Sequence, residues 1–228
     1  MESIKQFYDD FVDCWLNNPR YSVRRSYLNV LGNVEGKRVL DIGCGCGFDI
    51  KELSSKGAYG TGIDFSEIAI RNSKEFVGDD SKWIFICDDF MSYRTNNKYD
   101  IVLFSMIVMH YHNLDAIFNT LSSFMKKGGL LLLVTNNPYL ICKDYNLPYP
   151  EEDKCIPYKH HFFYNGETMT VPKYLHSFSD YINKAVIGGL SIVSLKEISI
   201  YSEETLFFNP VYHPSIPNFL SILYTKNS

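Results

Sequence analysis

The chain has 228 residues, 46% of them hydrophobic, and a formal net charge of −4 at pH 7. That length suits one large domain or one domain with an insertion, and the apolar share is enough to bury a core. The acidic balance argues against a nucleic-acid partner, because phosphate binding needs clustered Lys and Arg. Only Arg24-Arg25, Lys37-Arg38 and Lys126-Lys127 stand in pairs, and none extends into a patch.

Met1-Glu2-Ser3-Ile4-Lys5 carries no basic-then-apolar signal, and no apolar run approaches membrane-spanning length. The six cysteines are scattered, several inside expected strands or turns, which is not a disulfide framework. These features predict a cytoplasmic protein without a membrane partner.

Ile4, Phe7, Tyr8, Phe11, Cys14 and Trp15 recur at helical spacing, and Asn17-Asn18-Pro19 ends that helix. A second helix is expected from Val23 to Leu31, closed by Gly32. A short strand over residues 37–41 then runs into Gly43, Gly45 and Gly47, and a helix opens at Phe48. A strand, a glycine turn and a helix bring backbone N–H groups and a helix N-terminus up to a small ligand.

Residues 60–64 form a second strand ending on Asp64, with Ser66 as cap of the next helix. Strands follow over residues 83–87, ending at Asp88-Asp89, and over residues 99–104. Leu114, Ile117, Phe118, Leu121, Phe124 and Met125 give a clean helical stripe, with Lys126, Lys127 and Gly128-Gly129 as its close. Residues 130–135 read as a fifth strand, buried on both faces. Such alternation means an α/β fold with a doubly wound, mostly parallel sheet.

The alternation stops after Thr135. Residues 136–178 are rich in Tyr, Pro and His without helical period, and the runs His160–Tyr164 and Glu167–Val171 flank Asn165-Gly166, a type I′ hairpin signal. This insertion follows the C-terminal end of a parallel strand and so lies on the ligand side. Ser177-Phe178-Ser179-Asp180 fits a capping box before a helix ending at Gly188-Gly189. Residues 191–200 and 218–224 complete the sheet as an antiparallel pair at one edge.

The glycine loop, Asp64, Asp88 and Ser105 fall on one edge of this sheet, after successive strands. Asp64 lies about twenty residues past the glycines, where a carboxylate can accept both hydroxyls of a ribose. The spacing G-x-G-x-G puts Phe48 where the pyrophosphate fingerprint has its third glycine. Asp41 is a poor neighbour for pyrophosphate and suits an ammonium or a sulfonium. Cys44 and Cys46 alone make only half a zinc shell, so no metal is expected.

Val39-Leu40-Asp41-Ile42-Gly43-Cys44-Gly45-Cys46-Gly47 resembles the first motif of class I S-adenosylmethionine-dependent methyltransferases. Gly62-Ile63-Asp64-Phe65-Ser66 resembles their second motif, and Cys87-Asp88-Asp89-Phe90 the adenine-binding one. Tyr99-Asp100-Ile101-Val102, Met109-His110-Tyr111 and Lys126-Lys127-Gly128-Gly129 are similar to later parts of that family, and Ser179-Asp180-Tyr181-Ile182 to the late helix of its small-molecule branch.

The resemblance implies a single Rossmann-like domain with a seven-stranded sheet carrying an antiparallel edge strand. Residues 1–32 would be a helical lid, 37–135 the cofactor-binding core, 136–178 a hairpin-containing substrate lid, and 179–228 the part completing the sheet. It further implies S-adenosylmethionine as cofactor, with S-adenosylhomocysteine as product. Gly43 and Gly45 would face the methionine moiety together with Asp41 and Cys44, and Asp64 the ribose. Phe65 would lie against the adenine, Asp88 would accept from its exocyclic amine with Asp89 and Phe90 beside it, and Ser105 would offer a carbonyl to the amino group. Asp89 reads better as a helix cap or a surface charge.

Methyl transfer from a sulfonium needs mainly a well-held nucleophile, and a base only for a nucleophile that arrives protonated. His110 and Tyr8 are the candidates for catalytic contacts. Tyr21, His160 and His161 are candidates for substrate contacts, the two histidines pointing to opposite faces of their strand. Arg24 and Arg25 read better as exposed surface. Asn136-Asn137-Pro138-Tyr139 is similar to the motif of base-amine methyltransferases but follows the wrong strand. The expected partner is a small-molecule acceptor, methylated at oxygen or nitrogen by a monomer or homodimer. A peptide methyltransferase, or a cofactor-binding protein acting through partners, is the alternative.

Overall fold

The computed structural model describes residues 2–10, 12, 21–78, 82–164, 167–199 and 216–227, without the side chains of residues 2, 3, 21, 22, 162–164 and 167. Helix α1 (Glu2–Asp10) and helix α2 (Tyr21–Leu28), continued by a 3-10 turn at Asn29–Leu31, precede the sheet. Phe11, Cys14, Trp15 and Asn17-Asn18-Pro19 lie outside the described residues. The core then alternates β1 (Arg38–Ile42), α3 (Phe48–Ser55), β2 (Tyr59–Asp64), α4 (Glu67–Val77), β3 (Trp83–Cys87), β4 (Tyr99–Ser105), α5 (Leu114–Phe124) and β5 (Met125–Asn136). After it come α6 (Pro138–Tyr145), a hairpin of β6 (Ile156–Tyr164) and β7 (Glu167–Leu175), α7 (Phe178–Ile187), β8 (Leu190–Ile198) and β9 (Phe219–Lys226). Among the described residues no helix is long and apolar enough to cross a membrane.

Seven strands form one sheet in the order β3-β2-β1-β4-β5-β9-β8, and β6-β7 form a second, two-stranded one. Strands β1 to β5 pair in parallel, and β9 runs antiparallel to both β5 and β8. The antiparallel strand therefore sits one place in from the edge. The order reverses between β1 and β4, so the loops after these two strands diverge and leave a crevice at their C-terminal ends.

The alternation of side chains explains why the sheet is covered on both faces. Val39, Ile101, Leu103, Leu132 and Val134 join one apolar layer, while Leu40, Ile42, Val102, Phe104, Leu131 and Leu133 join the other. All eleven are at most 2% exposed. Each such side chain stabilises the fold by roughly 1.5–3 kcal/mol through burial, before the entropy of ordering is set against it.

Three expectations need correction. The helix of Leu114 ends at Phe124, and Gly128-Gly129 does not close it: Met125 is already extended and pairs with Tyr99, with an irregularity before Ile101 meets Leu130. Lys126 is drawn off to Asp100 at 2.8 Å. Second, residues 136–178 do contain a helix, α6. The Asn137 side chain accepts from the Tyr139 amide at 3.0 Å, and Pro138 fills the first turn, where its missing N–H costs nothing. The Asn-Pro-Tyr run is thus a helix start. Third, the hairpin strands are longer than read, with Ile156 opposite Leu175, while Asn165-Gly166 lies outside the described residues.

The capping box at Ser177 forms as expected, with Asp180 accepting from the Ser177 amide and Ser177 Oγ from the Asp180 amide, each at 3.0 Å. Asn137 is a buried cap as well, at 1% exposed. Asn137→Ala is expected to lower the unfolding free energy by about 1 kcal/mol or more, measured by urea titration.

Candidate active site

The glycine loop follows β1 at the crevice, and Gly43, Gly45 and Gly47 all have positive φ, at 67°, 54° and 81°. A Cβ on Gly43 would stand 2.3 Å from Ile107 Cδ1, whereas one on Gly45 would meet nothing within 4 Å. Gly43 is thus closed in by the loop after β4, and Gly45 borders open space.

The loop's amides are turned inward. Gly43 and Cys44 both donate to the Ile63 carbonyl, at 2.7 and 3.0 Å, and Gly47 donates to the Cys44 carbonyl at 3.0 Å. Gly45 donates to Asp64 Oδ2 at 2.9 Å. The expectation that this loop presents N–H groups to a ligand therefore fails at these four positions. A phosphate would find them spent, so the loop is no cradle for pyrophosphate.

Carboxylates crowd around it instead. Asp41 is 2% exposed, and its Oδ2 has no hydrogen-bond partner among the described residues. Burial and then Asp49 raise its pKa well above the ordinary range, against the pull of Arg24. Asp64, at the end of β2, accepts from Gly45 with one oxygen and from the Ser66 amide with the other, also at 2.9 Å. Burial raises its pKa, and these two N–H groups hold it down. Two buried carboxylates beside an open glycine loop suit a cation better than a phosphate.

Arg24 is not surface. It donates to Asp49 Oδ1 at 2.8 Å, its guanidinium carbon lies 5.2 Å from the Phe48 ring centroid, and the Tyr27 hydroxyl bonds the same carboxylate at 2.8 Å. Arg24 and Tyr27 stand three apart and share one face of α2. That spacing was the available signal for a clasp between α2 and the start of α3. The Tyr21 side chain lies outside the described residues.

Phe65 is half-buried beside Ile4, Phe7, Tyr8, Val171 and Met169, so α1 and β7 meet over the end of β2. Ser66 strengthens that junction by bonding Asp9 of α1. Asp88 accepts from Ser92 Oγ at 2.9 Å, and Asp89 caps the turn by accepting from the Met91 amide at 3.0 Å. Phe90 is core, edge-on to Phe104 and Tyr111 at 5.3 and 5.4 Å. Cys44 is buried with its thiol pKa pushed up by burial, so it is no nucleophile. Ser105 ends β4, and the next residue, Met106, holds a strained φ of 59°.

Tyr8 and His110, far apart in sequence, are brought together: Tyr8 Oη lies 2.9 Å from His110 Nε2. Burial, and then Lys173, push the imidazole pKa down to about 3, opposed by the Pro172 carbonyl. Burial and then Asp64 push the Tyr8 phenol up. At neutral pH the phenol therefore keeps its proton, the imidazole is neutral, and the two share one hydrogen bond. His110 sits in the 3-10 turn Val108–His110, against which β7 packs.

Of the adjacent histidines only His160 faces inward. Its Nδ1 lies 2.8 Å from the Tyr145 hydroxyl, whereas His161 is exposed and bonded to Thr170 Oγ1 at 3.0 Å. The second candidate substrate contact is therefore on the outer face of the hairpin. His176 is buried and bonds the Tyr111 carbonyl at 2.8 Å, a structural role.

Residues 16–171 match a family model described as a methyltransferase domain. Malonyl-[acyl-carrier protein] O-methyltransferase 2 of Ilyobacter polytropus is 33% identical over 100 residues, which are 42% of this chain and 38% of that protein. The ubiquinone biosynthesis O-methyltransferase of Glaesserella parasuis is 31% identical over 138 residues, 56% of each. The chain thus spans about 38% and 56% of the length of these curated relatives. An S-adenosylmethionine dependent methyltransferase from Mesorhizobium loti shares the fold with a TM-score of 0.66 at 18% identity, over 88% of this chain and 96% of that one.

Proposed function

This chain belongs to the methyltransferase domain family, and from that premise we propose that it methylates a small molecule at oxygen or nitrogen, with S-adenosylmethionine as donor. The observation that carries the reading is the loop itself: amides turned inward, an open Gly45 and an unpartnered Asp41 oxygen select a cationic ligand over a phosphate. When bound, the donor supplies an electrophilic methyl on a sulfonium, and the protein supplies orientation.

Asp41, with Gly43, Cys44 and Gly45, would hold the amino-acid end, and the Ser105 carbonyl would take a share of the ammonium. Asp64 would accept the ribose hydroxyls while keeping Gly45 and Ser66 in place. Phe65 would cover one side of the adenine, with Asp88 and Asp89 at its rim. Tyr8 and His110 would stand on the acceptor side, under the roof formed by α1 and β7, with His160 further along the hairpin. A neutral imidazole of such low proton affinity is a weak base. Its part, with Tyr8, is to orient the acceptor and to take only a readily given proton.

Purified protein should therefore show a thermal shift with S-adenosylhomocysteine, and it should transfer a labelled methyl group to a component of a metabolite extract. No thermal shift would sink the reading. Tyr8→Phe removes one hydrogen bond to the imidazole and is expected to lower kcat roughly tenfold. It should leave S-adenosylhomocysteine affinity unchanged, so a loss of affinity would mean that Tyr8 serves the donor instead.

A further inference from the structure

Of the three loop glycines, Gly43 has the least room. A Cβ there would stand 2.3 Å from Ile107 Cδ1 and 2.7 Å from Ile107 Cγ1, so the tip of that side chain rests on the glycine itself. The Gly43 amide is already spent on the Ile63 carbonyl. A ligand following the loop would therefore meet the Ile107 side chain where it would otherwise meet a bare glycine.

The backbone around Ile107 fixes where it points. Met106 holds a φ of 59°, and strain of that kind persists only where the surroundings over-determine it. Its amide donates to the Val134 carbonyl at 2.8 Å, one residue past the end of β4, and its side chain packs on the layer of Val39 and Val134. Ile107 packs on the opposite layer, that of Phe104 and Val108. Both side chains are thus anchored as the chain leaves the sheet. The Ile107 carbonyl then accepts from the His110 amide at 3.0 Å, so one short turn carries both residues. Half-buried, Ile107 touches the glycine loop at one end and belongs to the turn of His110 at the other.

We propose that Ile107 sets how large an alkyl group the donor's sulfur can carry, admitting methyl and excluding ethyl. This rests on the methyltransferase reading above and deepens it. With the amino-acid end at Asp41 and the ribose at Asp64, the sulfur stands over the loop between them, and its methyl faces His110. Ile107 reaches the loop from the His110 side, so its side chain borders the space that the methyl fills. A β-branched side chain on a braced backbone has few ways to withdraw. One added methylene in an apolar pocket separates two ligands by about 10–200-fold.

The probes are S-adenosylmethionine, S-adenosylethionine and S-adenosylhomocysteine, titrated by calorimetry without an acceptor. The parent should bind the ethyl donor roughly tenfold or more weakly than the methyl donor. Ile107→Val removes only Cδ1 and should shrink that ratio severalfold, and Ile107→Ala should bring the two donors level. S-adenosylhomocysteine has no transferable alkyl group, so its affinity should be little changed in either variant, which also shows that they fold. Equal affinities in the parent overturn the proposal, and so does a parent ratio that survives in both variants. If Ile107→Ala does not fold, Ile107→Val decides, and an equal loss for all three ligands there marks a purely structural residue and overturns it too. Failure of the parent to bind S-adenosylhomocysteine overturns the methyltransferase reading and this proposal with it.

Discussion

Asp64→Asn is expected to weaken S-adenosylhomocysteine binding by about a hundredfold or more, although the side chain keeps its shape. Hydrogen bonds to a charged group are worth about 1.5–3 kcal/mol each, and the carboxylate would accept two from the ribose. The isostere has a further defect that the structure makes explicit. Gly45 donates to Oδ2 and Ser66 to Oδ1, so each oxygen already serves a backbone N–H. An amide has one oxygen, and in either orientation its NH2 faces one of those donors. The glycine loop or the start of α4 must then give way, at a cost of about 1–3 kcal/mol for a buried donor left unsatisfied. Calorimetry with S-adenosylhomocysteine and urea unfolding should show both losses together. Unchanged affinity in a folded variant would remove Asp64 from the donor site.

The parts of this molecule that local rules govern could be read from its residues. The alternation of apolar strands and amphipathic helices between residues 37 and 135 is written in periods of two and 3.6, and Ser66 and Ser177 carry their caps in plain sight. The sheet's C-terminal edge followed from that order, and with it the meeting of loop, Asp64 and Ser105. What could not be read depends on contacts between distant segments. Nothing at Tyr8 announces that it will bond His110, because the 2.9 Å contact is made only when α1 lies on β7. Arg24 reads as surface until α2 brings it to Asp49. The helix Pro138–Tyr145 went unseen for a different reason: it is two turns long, too short to display a period, and its signal lay in Asn137-Pro138. The burial of Lys173, only 3% exposed, was hidden by its type, since a lysine in an alternating strand is assigned to the water side.

Asp41→Asn is expected to move stability and binding in opposite directions. The wild-type carboxylate is buried with Oδ2 unpartnered, and Asp49 adds repulsion. Removing its charge should stabilise the free protein by about 1 kcal/mol or more, the low end of what a buried unsatisfied group costs. For a domain of this size that is a gain of about 2–4 °C in Tm per kcal/mol. The sign of the pH dependence follows from the raised native pKa. Between the unfolded value of about 3.9 and that raised value, the native state holds the proton more tightly than the unfolded one. Stability therefore falls as pH rises through this window, and the loss is complete above the native pKa. Asp41→Asn removes that slope, so the two proteins should be nearly equal near pH 3 and diverge by pH 7 in favour of the variant. Binding should go the other way. An ammonium beside Oδ2 favours the charged carboxylate, so wild-type affinity for S-adenosylhomocysteine should rise with pH across the same window, and that of the variant should be weaker and flat. Equal slopes in the two proteins would show that Asp41 is already satisfied without a ligand. The opposite outcome would mark it as a group kept under electrostatic stress for the sake of the ligand it receives.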